Sequence, residues 1–161
     1  MAKRSSVGTP ATVALTKAGV AFTVHAYDHS DGVTNFGEEA AAALGVERSR
    51  IFKTLVADAG GELVVAVVPV ARQLDLKALA GAAGAKKAVM AEPAAAARSS
   101  GYVVGGISPL GQRTRLRTFV DRSAEDFPTI FVSAGKRGLQ VELAVSDLLR
   151  LTGGQLSSLG V

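Results

Sequence analysis

The 161-residue chain has a hydrophobic fraction of 48% and a charged fraction of 20%, which is typical of one folded domain and not of a disordered segment. It contains no cysteine, which excludes disulfides, thiolate nucleophiles and most structural zinc sites. A formal net charge of +4 favours acidic partners such as nucleic acid, although an excess of this size often serves only solubility.

The first predicted elements follow a flexible tail, residues 1–8, and belong to one domain, residues 9–161. Thr9 and Pro10 are typical of a helix start, and the next glycine, Gly19, is typical of its end. Residues 22–26 alternate between apolar and polar side chains, as in a half-buried strand. No stretch of the chain approaches the roughly 20 apolar residues that span a bilayer, which predicts a cytoplasmic protein.

The central part of the chain continues with a helix and a hairpin. Asn35 and Glu38 predict a capping box for a helix that ends at Gly45. Two β-branched runs, 51–57 and 63–68, are joined by a glycine-rich turn and predict an antiparallel hairpin. The elements predicted after it are helices at 75–84 and 93–101 and a short strand at 88–90.

A glycine-rich connection, residues 101–116, is too irregular for a helix or a strand, and loops of this length in compact domains are often functional. Three more predicted strands and a closing helix follow it, at 116–121, 129–133, 139–142 and 144–152. Helices and antiparallel pairs are thus interspersed without regular βαβ alternation. This order predicts a single α+β domain with one curved sheet, mixed or mostly antiparallel.

Histidine and serine chemistry finds little support in the sequence. His25 and His29 are four residues apart, but the pattern places one on a strand and the other in a loop, so two partly exposed polar histidines are the simpler interpretation. No metal site is predicted. Neither Ser108 nor Ser133 has the spacing of a nucleophile elbow, which disfavours a serine hydrolase.

Basic residues are the stronger candidates. Lys53 stands in an apolar strand, where it is either an edge lysine that prevents aggregation or a fixed charge for a phosphate or an oxyanion. Alternating arginines before residue 118 would project to one side of an extended backbone, either as a phosphate-binding strip or as a solvated edge. The candidate nucleic-acid-binding residues are Arg98, Arg113, Arg115, Arg117, Lys136 and Arg137.

Five segments agree, in order, with the motifs of one family: TNFG, FKTL, QLDLK, the glycine-rich connection and VSAGKRGL, which occupy residues 34–37, 52–55, 73–77, 101–111 and 132–139. On these the chain resembles the YbaK family of free-standing tRNA-editing deacylases, which are related to the insertion domain of bacterial prolyl-tRNA synthetases. The resemblance covers about Thr9 to Leu151. It implies an α+β domain with a barrel-like sheet surrounded by helices.

The resemblance also implies a site. The family's essential lysine corresponds to Lys53, and its Gly-x-x-x-Pro loop corresponds to residues 105–109. Gln140 stands where close relatives often have an aspartate, so no carboxylate role is carried over. The implied substrate-binding residues are Tyr27, Phe36, Thr54, Gly105, Gly106, Ile107, Ser108, Pro109, Ser133 and Gly135.

The implied reaction is cleavage of cysteinyl-tRNA for proline, in which the sulfur of the substrate attacks its own ester carbonyl. It needs no cofactor, and Lys53 would polarise the reacting group, with backbone N–H groups of residues 105–108 or 133–135 as oxyanion donors. The implied partners are the acceptor end of a mischarged tRNA and prolyl-tRNA synthetase. Two alternatives stay open: a deacylase for alanine or serine that uses a bound water, and a non-catalytic tRNA-binding or synthetase-accessory protein.

Overall fold

The computed structural model describes residues 8–161, so the predicted tail lies, apart from Gly8, outside the described residues. Within that range the chain forms five α-helices: α1 (Pro10–Ala18), α2 (Phe36–Leu44), α3 (Leu76–Ala83), α4 (Pro93–Ser100) and α5 (Val145–Thr152). The eight strands of the same range are β1 (Phe22–Ala26), β2 (Phe52–Ala59), β3 (Glu62–Pro69), β4 (Ala88–Met90), β5 (Arg117–Asp121), β6 (Thr129–Lys136), β7 (Leu139–Ala144) and β8 (Gln155–Ser157).

The helices lie where the sequence predicts them, and each of the five ends at a glycine with left-handed backbone geometry. At the start of α1 the Thr9 hydroxyl accepts a hydrogen bond from the Thr12 N–H, and the Thr12 hydroxyl accepts one from the Thr9 N–H. The predicted capping box of α2 is wrong. The Asn35 side chain makes no capping hydrogen bond, and the Glu38 carboxylate binds Arg48 instead.

The strands form two sheets, which corrects the prediction of a single one. One sheet has the strand order β1-β7-β6 and is antiparallel, and the other has the order β4-β2-β3-β5-β8. An isolated bridge between Ile51 and Phe131 connects them. The implied barrel is not confirmed, because no continuous ladder closes the two sheets on each other.

The five-stranded sheet is mixed. The predicted hairpin of β2 and β3 is confirmed, but β3 then pairs in parallel with β5, and β5 in parallel with β8. Alternate residues of β3 contribute to two separate clusters: Val65 and Val67 belong to the main core, whereas Val64 and Val68 pack with α3. The continuous apolar run of β3 therefore reflects burial on both faces of the sheet.

One irregularity of the large sheet positions the site. On the side away from β3, β2 pairs with β4 only through residues 57–59. The Ile51 bridge to β6 lies at the other end of the strand, so the edge between them has no pairing strand. A gap therefore opens between the two sheets beside the first half of β2.

No helix in the described residues 8–161 is both long enough and apolar enough to cross a membrane.

Candidate active site

A mostly apolar cavity of about 380 Å³, called here the apolar cavity, occupies the gap beside β2. All six residues from Ile51 to Val56 line it, so the wall is the edge of the strand and not one of its faces. The starts of α2 and α4 and the glycine-rich connection form the other sides. The remaining lining residues are Thr34, Asn35, Phe36, Gly37, Met90, Ala91, Pro93, Ala96, Val104, Gly105, Ile107, Ser133 and Gln140.

The cation of the apolar cavity is Lys53, which pairs through its backbone with Val68 of β3. Burial lowers the pKa of the Lys53 ammonium below its ordinary value; the Glu38 carboxylate acts in the opposite direction and the Arg48 guanidinium in the same one. Among residues 8–161 the ammonium has no hydrogen-bond or ion-pair partner. A half-buried ammonium without a direct hydrogen-bond or ion-pair partner is costly unless it serves a ligand.

The first turn of α2 adds backbone N–H donors, and the Glu38 and Glu39 carboxylates of the same turn offset the positive end of the helix. Because Asn35 provides no side-chain cap, the first N–H groups of the helix lack the usual side-chain acceptor, and Asn35, Phe36 and Gly37 line the apolar cavity. Packing fixes this turn: a Cβ at Gly37 would lie 2.6 Å from Val70 Cγ2. Of Asn35, Phe36 and Gly37, only Phe36 was among the predicted site residues, and no backbone donor was predicted here because the sequence indicates a capped helix.

The glycine-rich connection approaches α2 closely. Gly105 has φ +88, and a Cβ there would lie 2.7 Å from two atoms of the Phe36 ring. The Arg137 guanidinium lies 4.6 Å from the centroid of the same ring and donates two hydrogen bonds to the Val104 carbonyl oxygen. The loop, the first turn of α2 and the turn between β6 and β7 are thus held together at one side of the cavity.

Two residues that line the apolar cavity carry a buried side-chain oxygen without a hydrogen-bond partner. Among the described residues, three buried side-chain atoms make no hydrogen bond, and two of them, Thr54 Oγ1 and Gln140 Oε1, belong to lining residues. Gln140 lies on β7 opposite Ser133 of β6 and is 7% exposed. Because an unsatisfied buried acceptor costs about 1–3 kcal/mol, this pair indicates a place for a hydrogen-bond donor from a ligand.

Tyr27, a predicted substrate-binding residue, does not line the apolar cavity. Burial raises the pKa of its hydroxyl above the ordinary value, while hydrogen bonds with the Gly138 backbone and the Gln140 side chain oppose this rise. The Tyr27 hydroxyl is thus a neighbour of the Gln140 side chain. The importance of Gln140 could not be inferred from its sequence position, because an orphaned oxygen exists only in the folded state.

The predicted residues divide into those that line the cavity and those that shape it. Phe36, Lys53, Thr54, Gly105, Ile107 and Ser133 line it. The others, besides Tyr27, support the two loops. The N–H of Gly106 donates to Val103, that of Gly135 donates to the Ser133 hydroxyl, and the Ser108 hydroxyl accepts from Leu110. Pro109 is buried beside Ser108 in the same loop.

The predicted arginine strip does not form along one strand. Only Arg117 belongs to β5, and it binds Glu62 and the Ala83 carbonyl oxygen. Its backbone pairs with Val64, four residues from the partner of Lys53 on β3, so it lies at the opposite end of the sheet. The other candidate cations are exposed and do not belong to β5: Arg98, Arg113, Arg115, Lys136 and Arg137.

Both histidines have carboxylate partners that the sequence did not reveal. His25 Nε2 lies 3.0 Å from Glu142 Oε1, and His29 Nδ1 lies 2.6 Å from Glu39 Oε1. Neither histidine lines the apolar cavity. In residues 8–161 no group of three His, Asp or Glu side chains has a metal-binding arrangement.

Comparison with known proteins places the chain in a family. A family model described as "Aminoacyl-tRNA editing domain" matches residues 31–151. The chain is 44% identical over 124 residues to an Enterococcus faecalis protein named "Putative Cys-tRNA(Pro)/Cys-tRNA(Cys) deacylase EbsC". This match covers 76% of this chain and 75% of the relative. It is 31% identical over 112 residues to the Bacillus subtilis protein YwhH, covering 69% and 71% of the two chains.

A solved structure agrees with these relatives. It is titled "Crystal structure of a putative trans-editing enzyme for prolyl tRNA synthetase", and it superposes with a TM-score of 0.83 at 25% identity, covering 94% of this chain and 95% of the other. The family model spans the apolar cavity from the start of α2 to Gln140. On the sequence match and the shared fold, the chain belongs to the aminoacyl-tRNA editing domain family.

Proposed function

We propose that this aminoacyl-tRNA deacylase acts in trans on Cys-tRNA(Pro) and removes the cysteine by chemistry that the substrate thiol assists. The observation that carries the proposal is the Lys53 ammonium on the wall of the apolar cavity, which makes no hydrogen bond or ion pair within residues 8–161. The substrate assignment is supported by the name of the relative that is 44% identical. A tRNA substrate made for translation also supports the predicted cytoplasmic location.

Lys53 has the properties that an ester-cleaving site requires. A fixed positive charge in a partly desolvated cavity stabilises the negative charge that develops on the ester carbonyl oxygen, and it also attracts the phosphate beside the esterified ribose. The free N–H groups at the start of α2 are proposed as additional oxyanion donors. The N–H groups of Gly106 and Gly135 already donate hydrogen bonds within the protein, which disfavours them as oxyanion donors.

Thr54 and Gln140 are proposed to bind the amino-acid part of the substrate. Gln140 Oε1 is an acceptor only, so its ligand must bring a donor, and the α-ammonium group of an aminoacyl ester is such a donor. The cavity volume of about 380 Å³ lies near the small end of ligand-binding sites, which suits a small amino acid.

Substrate-assisted attack agrees with the residues present. The chain has no cysteine, and neither histidine lines the apolar cavity to activate Ser133 or Thr54. In the proposed step the substrate sulfur bonds to its own carbonyl carbon, the ester C–O bond breaks, and the thiol proton ends on the departing ribose oxygen. The resulting four-membered cyclic thioester then takes up water to give free cysteine.

The decisive measurement is release of amino acid from tRNA(Pro) charged in turn with cysteine, serine, alanine and proline. Serine matches cysteine closely in size but lacks the thiol, so we expect its release to be more than about tenfold slower. Equal rates for cysteine and serine would refute thiol assistance and favour a deacylase that uses bound water. Adding prolyl-tRNA synthetase to the assay tests whether that enzyme is a partner.

Lys53→Met provides the matched control because methionine fills similar space without the charge. We expect release of cysteine to fall at least about 100-fold, the loss typical of removing one charge-stabilising group. Urea unfolding must show a stability no lower than that of the wild type, since a desolvated cation has been removed. Turnover that survives this substitution would place the reaction elsewhere.

A further inference from the structure

Lys53 also lines a second cavity of about 270 Å³, called here the polar cavity, beside the first turn of α2. We propose that the polar cavity binds a backbone phosphate of the tRNA acceptor strand, the one that joins the terminal nucleotide to its predecessor. This inference rests on the proposed function only for the identity of the RNA. It adds a binding site, with Arg48 and Arg72 as its residues.

The charges of the polar cavity favour an anion. Lys53, Arg48 and Arg72 line it together with one carboxylate, that of Glu38, which leaves an excess of two positive charges among these four side chains. Arg72 is exposed, and within residues 8–161 its guanidinium makes no hydrogen bond or ion pair. Guanidinium groups match the geometry of phosphate oxygens and bind them through two N–H donors.

Glu38 holds Arg48 in position while the phosphate is absent. The Arg48 Nε and Nη2 atoms lie 2.7 Å and 2.6 Å from the two carboxylate oxygens of Glu38. This pairing leaves the third guanidinium nitrogen of Arg48 available to a ligand. It also places a negative charge beside the proposed phosphate, so Glu38 must weaken binding of the RNA.

The location of the polar cavity selects this particular phosphate. Lys53 is shared by both cavities, as are Asn35 and Gly37 at the start of α2. If the esterified ribose occupies the apolar cavity, the RNA backbone continues from that ribose past Lys53. The first charged group along this backbone is the internucleotide phosphate. The polar cavity adjoins the reaction site, because Lys53 and the first turn of α2 line both cavities, and its lining is charged.

The test measures binding of an uncharged RNA hairpin that ends in CCA, by fluorescence anisotropy. The comparison RNA is the same hairpin with a neutral methylphosphonate at the last internucleotide linkage. Arg72→Met is the informative variant because the Arg72 stem packs near Gly160, where a Cβ would lie 2.9 Å from Arg72 Cδ, and methionine keeps that packing. Arg150→Ala is the control, since Arg150 pairs with Asp147 on α5 and lines neither cavity.

We expect Arg72→Met to weaken binding of the native hairpin by about three- to tenfold and to reduce the salt slope by about 0.7, the value for one phosphate contact on a single strand. On the methylphosphonate hairpin the same substitution should have no effect. Glu38→Gln should tighten binding of the native hairpin only, and Arg150→Ala should change neither. Thermal unfolding of each variant verifies the fold.

An equal loss on both hairpins, or no loss on either, would overturn the assignment of this phosphate to the polar cavity. Because the hairpin carries no amino acid, the result does not depend on ester cleavage. Failure to release cysteine would contradict the proposed function and leave this inference standing. If Arg72→Met affected the native and methylphosphonate hairpins equally, this inference would be contradicted and the proposed function would stand.

Discussion

At the scale of single residues, the site depends on groups whose interactions are left incomplete in the folded protein. Lys53 has a pKa lowered by burial, and Gln140 and Thr54 each keep a buried acceptor without a partner. Each of these groups costs stability in the absence of a ligand. Lys53 is recognisable in the sequence because lysine is unusual within an apolar strand, whereas Gln140 gives no such signal, since its partner is decided by the fold.

Gln140→Leu should impair recognition of the amino acid. Removing the carboxamide oxygen takes away the proposed acceptor for the α-ammonium group, and we expect kcat/KM for the cysteinyl ester to fall by about tenfold or more, equivalent to roughly 1.4 kcal/mol. Steady-state release of cysteine from charged tRNA measures this. Tyr27→Phe is the control: it removes the hydrogen bond to Gln140 but keeps the oxygen, so a smaller loss is expected. A loss as large for Tyr27→Phe would show that the Tyr27 hydroxyl itself is required.

At the scale of elements, the apolar cavity is a gap in strand pairing that two other segments close. β4 pairs with β2 only at residues 57–59, β6 meets it only at Ile51, and α2 and the glycine-rich connection cover the edge between them. Propensity and periodicity predict the helices and most strands because these signals are local. They do not predict which strands pair, and so neither the second sheet nor the parallel β3–β5 pair was anticipated.

The dependence of strand pairing on the whole fold also explains why the predicted arginine strip does not form. Alternation at Arg113, Arg115 and Arg117 indicates one face only if all three lie on a strand, and β5 begins at the last of them. The preceding backbone instead bonds to the end of α4, where the N–H of Arg113 donates to the Ser100 carbonyl oxygen. Tertiary hydrogen bonds thus replaced the extended geometry that the pattern assumed.

Gly105→Ala tests the contact between the glycine-rich connection and α2. The added Cβ would meet the Phe36 ring and would also require a positive φ, so we expect a loss of stability of about 1–2 kcal/mol and at least a tenfold loss of kcat/KM. Gly84→Ala is the matched control: Gly84 also has a positive φ, +77, but a Cβ there meets no atom within 4 Å. It should cost less stability, since only the backbone conformation is strained, and leave the kcat/KM of the folded enzyme unchanged. Equal losses of activity in both would assign the effect to instability alone.

At the scale of the whole molecule, Asp121 joins the large sheet to the last residues of the chain. Its carboxylate accepts hydrogen bonds from the N–H groups of Leu159 and Gly160 and from Ser123. Burial alone would raise the pKa of this carboxyl, but the hydrogen bonds from Ser123, Leu159 and Gly160 outweigh burial and hold the pKa below its ordinary value of 3.8. Asp121 is 2% exposed, so no solvent replaces these bonds.

Asp121→Asn should therefore destabilise the protein in a pH-dependent way. A depressed folded pKa contributes stability that is fully present above the unfolded value and is lost as the pH falls through the folded value. We expect a loss of about 2–4 kcal/mol near pH 7 that shrinks below about pH 4, measured by urea unfolding from pH 7 to pH 2. Asp126→Asn, at an exposed position nearby, should change stability by less than about 0.5 kcal/mol. A difference that stays constant over this pH range would contradict a role for the carboxylate charge.

The shared wall between the apolar and polar cavities has a consequence for product departure. A substrate that occupies both cavities is held at two places joined by covalent bonds, so each contact raises the effective concentration of the other. Ester cleavage reduces that advantage, because the contacts of the amino acid then no longer help to hold the RNA. The arrangement around Lys53 thus retains the uncut molecule while leaving neither fragment with the combined affinity of the whole.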